Sequence, residues 1–307
     1  MAGKSMGSGR RMSDGVKEVG ESPIVQRGEG ASGVATGRRT LISPSRGWRA
    51  LDVREIWNYR ELLWILTGRD IKVRYKQTAL GVAWVILRPV LSVAIFTAVF
   101  GYLAKIPSDG FPYPVFVLAA LVPWTFFSSA VTASGNSLLG SAGLIGKVYF
   151  PRLIIPMASV GSAIVDFLIS AVFLLAVLPL FSVAWTPSLL WVPVLLLMVL
   201  CLALGVGTLF SALIVRYRDF VGLMGYLLQV WMYATPVVYP ASLVPGRWRW
   251  ILYLNPMAGL TEGFRAAFLG KPIDPAPLAL SCVASVAILV VGGVYFAKVE
   301  RRFADII

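Results

Sequence analysis

The chain contains no histidine, and among its 307 residues only two are cysteines and 15 are acidic. Without histidine it lacks both the commonest metal ligand and the one side chain whose unperturbed pKa lies near neutrality. Cys201 and Cys282 each lie inside an apolar run, where a thiol behaves as a small hydrophobe. Neither a disulfide framework nor a metal site is therefore expected. A phosphate-cradling loop is missing as well. Gly146-Lys147 is followed by Val148 where Ser or Thr is required, position 141 is Ser where the loop's first Gly belongs, and Gly3-Lys4-Ser5 has no upstream loop. ATP binding by that mechanism is excluded, so any active transport must draw on a partner or an ion gradient. Carboxylates outside apolar runs are sparse, and Asp109, Glu262 and Asp274 show no paired spacing suited to acid–base or metal chemistry. Charge overall is low at 14% of residues, against about a quarter in soluble proteins.

What the chain has instead is apolar length. Hydrophobic residues make up 57% of it, and from Phe111 to Val215 the only formal charges are Lys147, Arg152 and Asp166. Uncharged length predicts six crossings. They run over about Leu80–Leu103 (interrupted only at Arg88-Pro89), Val115–Leu138, two spans within Leu153–Val215 that break at Ala184-Trp185-Thr186-Pro187, Phe220–Tyr239 and Pro277–Phe296. The first 45 residues are rich in Gly, Ser and charge and read as a disordered cytoplasmic tail without a signal-peptide core. Residues 46–79 follow as an amphipathic interface helix, with Trp48, Leu51, Ile56, Trp57, Leu62 and Leu63 interleaved among charges, and then a basic stretch. The fold expected is thus an all-α polytopic membrane protein, with residues 80–307 forming a six-span domain and both termini cytoplasmic.

The positive-inside rule supports that sidedness. With the tail left out, the predicted cytoplasmic segments hold fifteen Lys and Arg, whereas the external ones hold five: Lys105, Arg247, Arg249, Arg265 and Lys271. The net charge of +13 is then mostly topology and phospholipid contact rather than a nucleic-acid surface. Between the fifth and sixth spans, Ala241–Lys271 is aromatic and moderately apolar, broken by Pro245, Asn255-Pro256 and Gly259. Neither half is long enough to cross, which suits two short re-entrant helices on the outer side.

Three features admit competing readings. Asp166 is an ionisable residue in an apolar run, open either to gradient coupling or to a structural pairing with Arg88 or a polar group of a neighbouring helix. Glu262 and Arg265, three residues apart, suit a local ion pair better than catalysis. Among the aromatics, Trp84, Trp124, Phe127, Trp231 and Tyr233 are candidates to line a carbohydrate path, although lipid-facing and packing roles serve them equally.

Five segments together carry a resemblance: Arg69–Val90 (RDIKVRYKQTALGVAWVILRPV), Leu144–Pro156 (LIGKVYFPRLIIP), Arg216–Asp219 (RYRD), Thr235–Pro240 (TPVVYP) and Leu254–Arg265 (LNPM…FR). In this order they resemble the ABC type-2 permeases that export polysaccharides such as O-antigen, capsule and teichoic acid. Arg88 departs from the pattern, where a neutral polar residue is expected, and the first 45 residues fall outside it. The resemblance implies a homodimer of permeases with two copies of a cytoplasmic ATPase that holds ATP and Mg, no cofactor or enzymatic activity in this chain, and location in the inner (cytoplasmic) membrane. It implies a coupling helix at about 140–152, with Leu144 and Phe150 as apolar anchors, Lys147 and Arg152 as charged contacts, and Val148, Tyr149 and Pro151 between them. It further implies a cytoplasmic entrance at Arg69, Lys72 and Arg74 for a lipid-linked glycan, and an external gate at about 241–271 that includes Trp248, Tyr253, Asn255, Pro256, Glu262 and Arg265. The alternatives are an exporter of small lipophilic compounds, a gradient-driven carrier centred on Asp166 and a polytopic glycan-modifying enzyme.

Overall fold

In the computed structural model, residues 53–76, 82–145 and 150–300 are described. They form eleven α-helices joined by short 3₁₀ or π turns, with no strand among them. Residues 1–52 lie outside this set, and so do residues 146–149, which include Lys147, Val148 and Tyr149 of the expected coupling step.

The helices are α1 (Val53–Asn58), α2 (Arg60–Lys76), α3 (Val82–Phe96), α4 (Tyr113–Gly140), α5 (Ala142–Ile145), α6 (Ile154–Val177), α7 (Val192–Arg216), α8 (Phe220–Ala234), α9 (Gly246–Leu254), α10 (Pro256–Leu269) and α11 (Pro275–Glu300). Five segments are long and apolar enough to cross a membrane: Ala83–Leu103, Tyr113–Gly140, Ile154–Phe181, Pro187–Arg216 and Pro275–Glu300. Five of the six expected crossings fall within a few residues of these bounds, and the Leu153–Val215 run breaks between Phe181 and Pro187 as expected.

The expected fifth crossing corresponds to a shorter helix than the uncharged run. α8 has 15 residues and stops at Ala234, five residues short of Tyr239. At 1.5 Å per residue it is about 22 Å long, less than the roughly 30 Å of a hydrocarbon core. The stop is local chemistry, because Thr235 precedes Pro236 and is driven out of the helical region to ψ 141°.

α4 is the centre of the bundle, packed by α6, α7 and α10, and most of its side chains are buried. Phe126 meets Phe167 of α6 at 5.6 Å between ring centroids, and Phe167 meets Phe264 of α10 at 5.9 Å. These edge-on aromatic pairs tie three helices together. α7 and α11 touch backbone to backbone: a Cβ at Gly292 would lie 2.1 Å from the Gly205 carbonyl oxygen. Only glycine allows that approach.

α9 and α10 form a hairpin that begins and ends at one residue. Ser242, ahead of α9, donates to Asp109 at 2.9 Å, and Lys271, just past α10, pairs with the same carboxylate at 2.9 Å. The turn between the helices is written in the sequence. Asn255 caps α10 by accepting from the Met257 N–H at 3.0 Å, and Pro256 takes the first helical position, where no N–H is needed.

Candidate functional site

Polar groups gather in two clusters, each built on an arginine and a carboxylate. The first lies on the hairpin. Arg265 is fully buried, and its guanidinium donates to Glu262 Oε1 at 2.6 Å and to the carbonyls of Pro236 (2.7 Å), Val237 (3.1 Å) and Phe116 (3.4 Å). It also lies 3.8 Å from the Phe116 ring centroid. Burying a cation is tolerable only when its donors are met, and a planar fork meets several acceptors at once where an ammonium cannot. The partner Glu262 also accepts the Ala241 N–H at 3.1 Å, so one ion pair holds α10, the turn after α8 and the start of the hairpin.

Beside this pair lies a cleft of about 200 Å³ lined by Asp109, Arg249, Tyr253, Glu262, Lys271 and Asp274, among others. Asp109 has a left-handed backbone, φ 51°, next to Gly110 at φ 85°. Burial disfavours its charge, but the hydrogen bonds from Lys271 and Ser242 outweigh that and hold the carboxyl below its ordinary pKa. The sequence offered Asp109 only as an unpaired carboxylate. Its Asp-Gly turn was the available signal, and its two partners lie more than 130 residues away.

The second cluster joins α2 to α6. Arg74 donates to Asp166 at 2.5 Å, and the Tyr75 hydroxyl donates to the other oxygen of the same carboxylate. Burial and the adjacent carboxylate push the Tyr75 phenol well above its ordinary pKa. Ser159 donates to Asp70 at 3.3 Å, and Thr67 packs against Gly161. The Asp166 pairing is thus with α2. Arg88, the other partner considered, instead stands over Trp84 at 5.4 Å. Of the expected entrance cations, Arg74 is engaged here, Arg69 bonds its neighbour Asp70, and Lys72 is exposed.

The described part of the coupling step turns inward. Phe150 is 5% exposed and belongs to an apolar cluster with Leu66, Leu138, Ile154 and Phe296, against which Leu144 also packs. The Arg152 N–H donates to Glu300 Oε1 at 3.0 Å, and its guanidinium donates to the Glu300 carbonyl at 2.8 Å. An inward Phe150 is an anchor for this chain's own core, which differs from the docking role expected of it. Pro151 is half-buried beside it.

The aromatic candidates divide. Trp124 and Phe127 are buried in α4, and Phe127 meets Trp231 edge-on at 5.1 Å. The Trp231 indole donates to Asn255 at 2.8 Å, while Asn255 donates to Thr235 at 2.9 Å. Trp124 in turn lies 5.6 Å from Phe127, so the three rings pack in series. Trp84 and Tyr233 are exposed, as is Trp248, whereas Tyr253 packs beside Leu252 and Ala258.

The fold and its clusters define a polytopic helical membrane protein with a helical hairpin fastened at both ends to Asp109 of the loop before α4. The family model described as ABC-2 type transporter matches residues 61–269, and the chain belongs to that family. It is 30% identical to the O-antigen export system permease protein RfbA of Klebsiella pneumoniae, over 80% of this chain and 95% of that protein. It is likewise 30% identical to the Myxococcus xanthus protein of the same name, over 82% and 98%. The polysialic acid transport protein KpsM of Escherichia coli is 24% identical over 66% of this chain and 78% of its own length.

Proposed function

We propose that this chain is the permease subunit of an ATP-driven exporter that moves a lipid-linked polysaccharide outward across the inner membrane. The observation that carries this reading is the similarity, along nearly the whole of their length, to two O-antigen export permeases. Two copies of the chain would enclose the path, and two copies of a separate cytoplasmic subunit would bind ATP and Mg. The chain itself does no chemistry on the substrate. α8, with the turn that follows it, makes the fifth of six crossings, and the α9–α10 hairpin is the outer gate; both termini are then cytoplasmic. The excess of basic residues in the segments this topology places inside supports it.

The ATPase docks on the step between α5 and α6. Because Phe150 and Arg152 are engaged within this chain, Lys147, Val148, Tyr149 and the exposed edge of Leu144 carry the docking. At the entrance, Arg69 and Lys72 meet the anionic head of the carrier lipid, while Arg74 positions α2 against α6.

The test is Lys147→Glu combined with Tyr149→Ala. The pair should abolish co-purification of the ATPase and export while leaving the permease folded. Intact association and export would remove the step from the coupling role. An exporter of small lipophilic compounds would differ in substrate only, and glycan-independent extrusion of such compounds would favour it.

A further inference from the structure

α11 joins two places that the proposed mechanism needs to connect. Its last residue, Glu300, holds Arg152 through two hydrogen bonds: the carboxylate accepts the Arg152 N–H at 3.0 Å, and the main-chain carbonyl accepts from the guanidinium at 2.8 Å. Four residues earlier Phe296 is buried in the same cluster as Phe150. Near its other end, α11 meets the hairpin backbone directly. A Cβ at Gly259 of α10 would lie 2.4 Å from Ser281 Oγ and 2.5 Å from the Pro277 carbonyl oxygen. Between these ends α11 is an unbroken 26-residue helix, about 39 Å long. It carries no proline past its first turn and is held against α7 at Gly205–Gly292.

We propose that α11 is a strut that transmits movement of the coupling step to the outer hairpin, and that Glu300 is the positioning residue that fastens its inner end to Arg152. Helices are stiff along their axis, so displacement at one end arrives at the other when both ends are held without slack. At the outer end, the Gly259 backbone sits directly against the Pro277 carbonyl and the short Ser281 side chain, which leaves little to absorb the motion. At the inner end, the fastening is a carboxylate on a main-chain N–H, a charge-assisted bond with defined geometry. This inference rests on the reading that the step receives the ATPase.

The experiment uses the full chain reconstituted with its ATP-hydrolysing subunit, in a Cys201→Ala, Cys282→Ala background with Leu254→Cys as a labelling site on the hairpin. Three quantities are read: ATPase association, ATP hydrolysis, and the change in thiol labelling at position 254 when ATP is added. Glu300→Ala should retain association and keep hydrolysis within about twofold of the parent, yet lose the ATP-dependent change in labelling and at least tenfold of export. Glu300→Gln, which keeps an acceptor for the Arg152 N–H, should restore most of both. As a second variant, Val290→Gly with Val291→Gly softens α11 on an exposed face without removing a buried contact. It should uncouple in the same way, whereas Leu168→Gly with Val172→Gly on the exposed face of α6 should not. Unchanged export and labelling in Glu300→Ala, or equal effects of the two glycine pairs, would overturn the strut. Failure of the parent to associate with the ATPase would instead overturn the coupling assignment.

Discussion

Two of the arginine–carboxylate pairs among the described residues, Arg265–Glu262 and Arg74–Asp166, differ in kind. Arg265 and Glu262 lie three residues apart on one helix, and Arg265 has no exposed surface. Arg74 and Asp166 are 92 residues apart on two helices and keep side-chain exposures of 31% and 22%. The first pair is a fastening whose donors end on three backbone carbonyls as well as the carboxylate. The second aligns one helix with another and leaves part of both side chains at the surface of the chain. The contrast teaches that an ionisable residue in an apolar run is not by itself a sign of ion coupling, since its partners decide what it does.

Removing Arg265 should therefore cost the most. Arg265→Ala leaves Glu262 and the Pro236 and Val237 carbonyls without their donor, with an expected loss of about 3–5 kcal/mol. Thermal unfolding in detergent would read it. Arg265→Lys should recover only part of the loss, since an ammonium does not span those acceptors. A variant as stable as the parent would reduce the first pair to the level of the second.

Asn255→Ala tests the same hairpin at its turn. It removes the helix cap, the acceptor for Trp231 and the donor to Thr235, for an expected loss of about 2 kcal/mol. Weaker protection of α10 in hydrogen exchange should accompany it.

Asp166→Asn should be mild. The pair is partly exposed, so about 1 kcal/mol is at stake, and ATP-driven export should stay within a few-fold of the parent. Complete loss of transport with folding intact would revive the gradient-driven carrier.

The smallest effect belongs to Asp109. Because its folded pKa is depressed, its stabilising contribution is fully present above the ordinary carboxylate pKa of about 3.9 and is lost as pH falls through the folded value. The stability difference between the parent and Asp109→Asn, measured by thermal unfolding, should be constant from pH 7 to about pH 5 and shrink below about pH 4. A difference that grew on acidification would contradict the assigned pairing.

Much of this architecture is legible in sequence because membrane insertion depends on local quantities. Uncharged length located five segments, and Asn255-Pro256 announced the break inside the hairpin. α8 was read too long because apolar character continues past Ala234 to Tyr239, while Thr235-Pro236 had already ended the helix. Pairings escaped for a different reason. Asp166 had Arg88 of the first apolar run as a candidate, yet the parallel packing of α2 on α6 brings Arg74 to it instead. The resemblance gave Phe150 as an apolar anchor for a partner, but the α11 end and α2 supply an apolar cluster that only the fold assembles. Trp124, Phe127 and Trp231 looked equally suited to sugar and to packing; the fold buries Trp124 and Phe127 and leaves Trp231 half-buried against Phe127.

Translocation of a lipid-linked glycan in proteoliposomes measures the central claim most directly, with the permease present alone or together with its ATP-hydrolysing subunit. The account predicts outward movement only when the subunit and hydrolysable ATP are both present, unaffected by collapsing the proton gradient. Movement by the permease alone, driven by that gradient, would contradict it.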